Sequence, residues 1–100
     1  MLDPILKEIA APSVEHRGAP FFALNAKLEQ EEMRREMNVF HEMGMGGCFL
    51  HTRVGLATPY LEKDYMDAIR AAIEECEKLG LQPWLYDEDR WPSGAAGGLV

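Results

Sequence analysis

Gly44-Met45-Gly46-Gly47-Cys48-Phe49-Leu50-His51 is the stretch from which the fold is read. Glycine takes left-handed backbone angles without the steric cost of a Cβ, so the glycine-rich half reads as a helix stop. Cys48-Phe49-Leu50-His51 is apolar and partly aromatic, too brief for a helix and suited to a strand. A helix that halts and becomes a strand within a few residues is the α-to-β step of an alternating chain.

The same alternation extends to both sides. Upstream, Met33, Met37, Phe40 and Met43 or Gly44 recur at helical spacing between Leu28 and Met43, while Glu29, Glu31, Glu32, Arg34, Arg35 and Glu36 mostly face away. The acids come early, toward the positive end of the helix dipole. Before this helix, Phe21-Phe22-Ala23-Leu24-Asn25 reads as a first strand. Residues 1–19 form an arm: an amphipathic piece around Ile5, Leu6 and Ile9, then the punctuation of Pro12, Gly18 and Pro20. Downstream, the loop Thr52–Pro59 leads into a helix from Tyr60 or Glu62 to Leu79, with Tyr65, Met66, Ile69, Ala72, Ile73, Cys76 and Leu79 as its apolar stripe. Gly80 closes that helix, and Gln82-Pro83-Trp84-Leu85-Tyr86 follows as a third strand with Trp84 in the core. Pro83 is tolerable at a strand start.

The order β-α-β-α-β predicts an α/β fold with parallel strands and right-handed crossovers, either an open doubly wound sheet or a (β/α)8 barrel. Asn25-Ala26-Lys27-Leu28 contains no glycine, so the nucleotide-binding fingerprint of the doubly wound class is missing after the first strand. Barrel enzymes place polar residues at the ends of successive strands, as Asn25, His51 and Asp87-Glu88 do here. The expectation is therefore the partial start of a (β/α)8 TIM-type barrel, with residues 20–100 supplying its first three strands and two helices. A complete barrel takes ~250 residues, so the chain reads as a fragment. An open third strand and an uncovered sheet face then call for the remainder of the barrel or for self-association.

Composition narrows the function classes. Apolar residues make up 47% and charged residues 27% of the chain, a globular balance. The formal net charge of −7 and the sequence pI near 4.8 argue against nucleic acid and anionic membrane as partners. The start of the chain lacks the basic flank and long apolar core of a signal peptide or membrane span, so a soluble, cytoplasmic protein is expected. Cys48 and Cys76 show no Cys-x-x-Cys or Cys/His spacing and read as reduced core thiols, and no metal ligand set is identified. His16 and His41 read as solvated residues.

The chemistry concentrates where Leu85-Tyr86-Asp87-Glu88-Asp89-Arg90-Trp91-Pro92-Ser93-Gly94 turns from apolar to acidic. Carboxylates and Arg hydrogen-bond sugar hydroxyls, an indole covers an apolar sugar face, and glycines allow close backbone approach. The proline ring holds Trp91 extended and presents its indole. Asp87, Glu88, Asp89 and Trp91 are therefore candidate carbohydrate-binding residues; salt bridges to Arg90 or Arg53, a helix cap and loop packing are the plainer roles open to them. If Trp84, Tyr86 and Glu88 share one strand face, Asp87 points to the other. His51 and Arg53 lie two apart and flank the end of the second strand; Asn25, at the matching end of the first, both donates and accepts. Each of these three also has a structural reading, as a satisfied histidine, an organiser of the acidic cluster and a turn-fixing amide.

Two stretches carry a resemblance: PFFALNAKLEQEEMRREMNVFHEMGMGGCFLHTRVGLATPYL and LGLQPWLYDEDRWPSGAAGGLV. They resemble the N-terminal part of the catalytic barrel of glycoside hydrolase family 106-like proteins, the α-L-rhamnosidase-related group, over about residues 18–100. The most specific parts are Asp-Glu-Asp-Arg-Trp-Pro-Ser-Gly and the Gly-Gly strand ending in His51-Thr52-Arg53. The resemblance implies a large multidomain enzyme hydrolysing glycosidic bonds of polysaccharides, with a calcium ion in some members and no other cofactor. It also implies catalytic glutamates on later strands, outside these 100 residues. The loop positions inherit a role in lining the substrate pocket; no catalytic pair and no calcium ligand is carried over. The alternatives are a non-catalytic carbohydrate-binding barrel and an inactive truncated chain associating through its open sheet edge.

Overall fold

The computed structural model describes residues 2–89 and 93–99. Its elements are α1 (Leu2–Ala10), β1 (Phe21–Leu24), α2 (Gln30–Glu42), β2 (Gly47–Thr52), α3 (Lys63–Leu79) and β3 (Gln82–Asp89), with short 3-10 turns at Val14–His16 and Ser93–Gly98. The strands form one sheet in the order β1-β2-β3, every pair parallel. The β-α-β-α-β order expected from the periodicity of the sequence is present.

Boundaries moved for local reasons. Leu28 stays outside α2 because its backbone N–H donates to Thr58 Oγ1 at 2.8 Å, tying it to the loop after β2. α3 starts at Lys63 rather than Tyr60, since Leu61 is left-handed at φ 63° and Glu62 is extended. Gly80, at φ 72°, ends α3 by donating its N–H to the Cys76 carbonyl, and Leu81 N–H donates to the same oxygen at 2.9 Å. Gly47 opens β2 where any Cβ would collide with the Gln82 backbone. β2 and β3 close up there only because that residue is glycine.

Alternation along the strands sorts their side chains onto two faces. Leu24, Cys48, Leu50 and Thr52 point toward α2 and α3, which both pack on this face through Met33, Met37, Tyr65, Ala68, Ile69, Ala72 and Cys76. Leu24, Met37, Cys48, Leu50, Thr52 and Cys76 are all less than 2% exposed. Burying a Leu or Met side chain this fully stabilises by about 1.5–3 kcal/mol. Within that core Thr52 Oγ1 and the Tyr65 hydroxyl share a 2.9 Å hydrogen bond. The α2–α3 seam is closed by a polar clamp. Arg34 reaches Glu74 at 3.1 Å and Glu75 at 3.4 Å, while Asn38 Nδ2 donates to Glu75 Oε2 at 2.8 Å.

The opposite face carries Phe21, Phe49, His51, Trp84 and Tyr86, and no helix among the described residues covers it. Trp84, expected in the core, is instead 50% exposed. It lies nearly parallel to Phe49, ring centroids 5.9 Å apart, because its strand position sends it to the uncovered side. Met43 and Met66, assigned to apolar helix stripes by spacing, are also largely exposed at 61% and 46%. In the arm, α1 leaves Ile5, Leu6 and Ile9 exposed. The segment after it is tied down: Arg17 donates to the carbonyls of Pro12 at 2.7 Å and Gly44 at 3.0 Å, and Gly46 N–H donates to Gly18 at 2.8 Å.

Candidate substrate-binding edge

Parallel pairing sends the C-terminal ends of all three strands to one edge of the sheet. In register, Leu24 lies beside Thr52, and Thr52 beside Asp89. Asn25 and Arg53, the residues that follow β1 and β2, therefore emerge next to each other and next to the acidic end of β3. Arg53 N–H donates to the Leu24 carbonyl at 3.1 Å, carrying the ladder one step past the strand end. The two loops that leave this edge are stapled together by Ala57 N–H to the Ala26 carbonyl at 3.2 Å and by the Leu28–Thr58 bond. Gly55, at φ 107°, sits against Asn25, where a Cβ would come within 2.8 Å of the Asn25 carbonyl oxygen. The side chains of Asn25 and Arg53 are exposed, so an amide and a guanidinium face solvent along this edge, and Asp87 is exposed two residues before the end of β3.

His51 occupies a different setting. It is 8% exposed on the aromatic face, with its ring centroid 4.1 Å from Tyr86 and 5.5 Å from Phe21. The histidine is thus a wall behind the edge, within the strand, and Arg53 lies beyond the strand end. The end of β3 is irregular: Leu50 pairs with Leu85 but Thr52 pairs with Asp89, so two steps of β2 run beside four of β3. Such a bulge re-aims side chains, and bulges are enriched beside functional sites. It also suspends the simple alternation from which opposite faces for Asp87 and Glu88 were expected. Asp87 borders a groove of about 400 Å³, shared with Tyr60, Tyr65, Met66 and Leu85 on the helix side. A smaller cleft of about 210 Å³ lies in the loop from Arg53 to Tyr60.

The side chains of Glu88 and Asp89, and Arg90 and Trp91 altogether, lie outside the described residues. Of the expected binding residues, Asn25 and Arg53 share the edge, while Asp87 lies within β3 on the helix-side groove and His51 within β2 on the aromatic face. Two contributors were missed from the sequence: Thr58, whose hydroxyl accepts from the first loop, and Gly55. Gly55 carried a signal, a lone glycine in a loop beside a strand end; Thr58 carried none.

Among the described residues no group of three or more His, Cys, Asp or Glu side chains is placed to hold a metal ion. A calcium site needs six to eight oxygen ligands, and the described residues gather no carboxylate cluster to anchor one. No helix among the described residues is long and apolar enough to cross a membrane. A scan against protein-family models finds no match to the chain, and searches of curated proteins and of solved structures find none either.

Proposed function

We propose that this chain is the opening segment of a (β/α)8 glycoside hydrolase acting on rhamnose-like or related sugars, and that its strand ends line the sugar pocket. The observation that carries the reading is the in-register convergence of Asn25, Arg53 and the end of β3 at one edge of a parallel sheet. In barrel enzymes that edge carries the active site. Both helices on one face and aromatic rings on the other agree with a barrel wall, whose helices lie outside and whose inner face is filled by side chains. The resemblance of residues 18–100 supplies the sugar class.

In this role the segment binds and orients. The Asn25 amide donates to one hydroxyl and accepts from another, Arg53 donates to a ring or hydroxyl oxygen, and Asp87 accepts. Glycoside hydrolysis needs two carboxyl groups ~5–5.5 Å apart for retention or ~6.5–9.5 Å for inversion. That pair belongs to later strands of the barrel, as the resemblance implies. In the full-length enzyme Arg53→Ala, Glu88→Gln and Trp91→Ala should each lower kcat/KM for the natural glycan by about ten-fold or more, the loss of a hydrogen bond to a charged group or of a stacking platform. Unchanged kinetics in all three would remove this edge from the site. A non-catalytic sugar-binding barrel is separated from the enzyme by a binding assay that is positive while hydrolysis is absent.

A further inference from the structure

The groove of about 400 Å³ bounded by α3, β3 and the turn at Ser93–Gly98 has a buried floor and an exposed rim. Leu50, Tyr65 and Ile69 form the floor, none of them more than 5% exposed, while Leu61, Met66 and Leu85 stand around it with 46%, 46% and 67% of their surface in solvent. Asp87 is the one charged side chain among the described residues of the lining; its carboxylate is exposed and engaged by no other described residue. Two backbone outliers mark the same place. Leu61 at φ 63° and Ala96 at φ 46°, the non-glycine residues in the left-handed region among those described, both line this groove. A residue with a Cβ sits there unfavourably, and such strain collects where ligands are clamped. The bulge of β3 falls beside it as well. We propose that this groove binds a small organic ammonium ion of the arylalkylamine class, with its aromatic body in the trough and its cationic head on Asp87.

Size, lining and charge choose that occupant. Small-molecule pockets run to about 300–1,000 Å³ and are walled mainly by apolar and aromatic groups, with a few polar ones to fix orientation. This trough matches in both respects, so the bulk of its ligand is apolar. Tyr60 and Tyr65, with ring centroids 5.2 Å apart and planes at 72°, give the wall aromatic surface, and the thioether of Met66 at the rim makes favourable contact with a further ring. The Tyr65 hydroxyl is already bonded to Thr52 at 2.9 Å. The head group is set by Asp87, the one ion of the described lining. A carboxylate only accepts hydrogen bonds, so the head must donate, and a cationic donor binds it about twice as strongly as a neutral one. The formal net charge of −7 draws cations to the surface and disfavours a carboxylate or phosphate head. The site stands without the sugar reading. Asp87 is common to both, but the rest of the groove lies on the helix side of the sheet, away from Asn25 and Gly55 at the edge.

The probe is phenethylammonium, titrated into the isotope-labelled chain and followed by amide shifts. Saturating movement is expected at Leu61, Met66, Ile69 and Ala96 while Asn25 and Gly55 stay in place, with a Kd on the order of 1 mM, as a ligand of about nine heavy atoms allows. Phenethyl alcohol, which keeps the ring and loses the charge, should bind about ten-fold more weakly, and phenylacetate, of opposite charge, should not bind. Asp87→Asn, a substitution of similar shape at an exposed position, should weaken the amine by about ten-fold. Met66→Lys, at a half-exposed position of α3, brings an ammonium to the rim from the chain itself and should block the probe. No saturable shifts, equal binding of amine and alcohol, an Asp87→Asn variant as tight as the unmodified chain, or shifts confined to Asn25 and Gly55 would overturn the site. Movement of the same groove residues on concentrating the chain without probe would show a second copy seated there, and would overturn it too.

Discussion

The two faces of the sheet use the same three strands and differ in almost everything else. Toward the helices, Leu24, Leu50 and Cys48 are sealed at 1% exposure or less, and even the hydroxyl of Thr52 is satisfied internally. On the other side Phe21 and Trp84 keep 63% and 50% of their surface in contact with solvent. One residue of register separates these environments: the two crossover helices seal the β1 and β2 side of one face, while Leu85 at its β3 margin stays 67% exposed. Parallel sheets are normally covered on both faces. An aromatic face without a covering helix is what the proposed barrel would turn inward.

Substitutions on the two faces should give unequal effects. The largest loss is expected for Leu50→Ala, about 2–5 kcal/mol in denaturant unfolding, because its neighbours on α2 and α3 cannot collapse fully into the space. Gly47→Ala comes next, at roughly 1–3 kcal/mol, since the added methyl meets the Gln82 backbone and pushes β2 from β3. Thr52→Val keeps the shape and removes the hydrogen bond to Tyr65, for about 1 kcal/mol. Trp84→Ala on the open face should cost least, about 0.5 kcal/mol, as befits a half-exposed position. If Trp84→Ala matched Leu50→Ala, the open face would be packed in solution and the contrast between the faces would fail. Sedimentation of both variants would then show whether a second copy supplies the packing.

Acid tests the seam between α2 and α3. The Asn38 amide, followed by Lys78 and Arg34, holds the Glu75 carboxyl below its ordinary value of 4.5. A carboxyl depressed in the folded state contributes stability that is present above its unfolded value and lost as pH falls through the folded one. The melting temperature should therefore drop as pH goes below about 4.5. Glu75→Gln, which keeps a hydrogen-bond acceptor for Asn38, should flatten that slope. An unchanged slope in the variant would place the acid sensitivity elsewhere.

The order of elements was legible because helical spacing at Met33, Met37 and Phe40 and at Ile69, Ala72 and Cys76 differs plainly from the short apolar runs around Leu24 and Leu50. Face assignment was half legible. Alternation groups Trp84 with Tyr86, but nothing in the residues says which face the helices will cover, so Trp84 was expected in the core. The length of β3 was hidden by its acids: Asp87-Glu88-Asp89 looks like a loop, yet the bulge beside Leu50–Thr52 lets the strand continue. At the candidate edge, Asn25 and Arg53 could be named from their place after strands. Their stapling by Thr58 and Gly55 depends on two loops meeting in space, which no local pattern encodes.

Whether the strand ends form one sugar-binding edge can be read from the amide shifts of the isotope-labelled chain titrated with a rhamnoside. Asn25, Arg53, Gly55 and Asp87 should move, with Gly47 and Gln82 at the opposite ends of the strands unmoved. Shifts gathered around Gly47 and Gln82, or a saturating rhamnoside that moves none of the four edge residues, would contradict it.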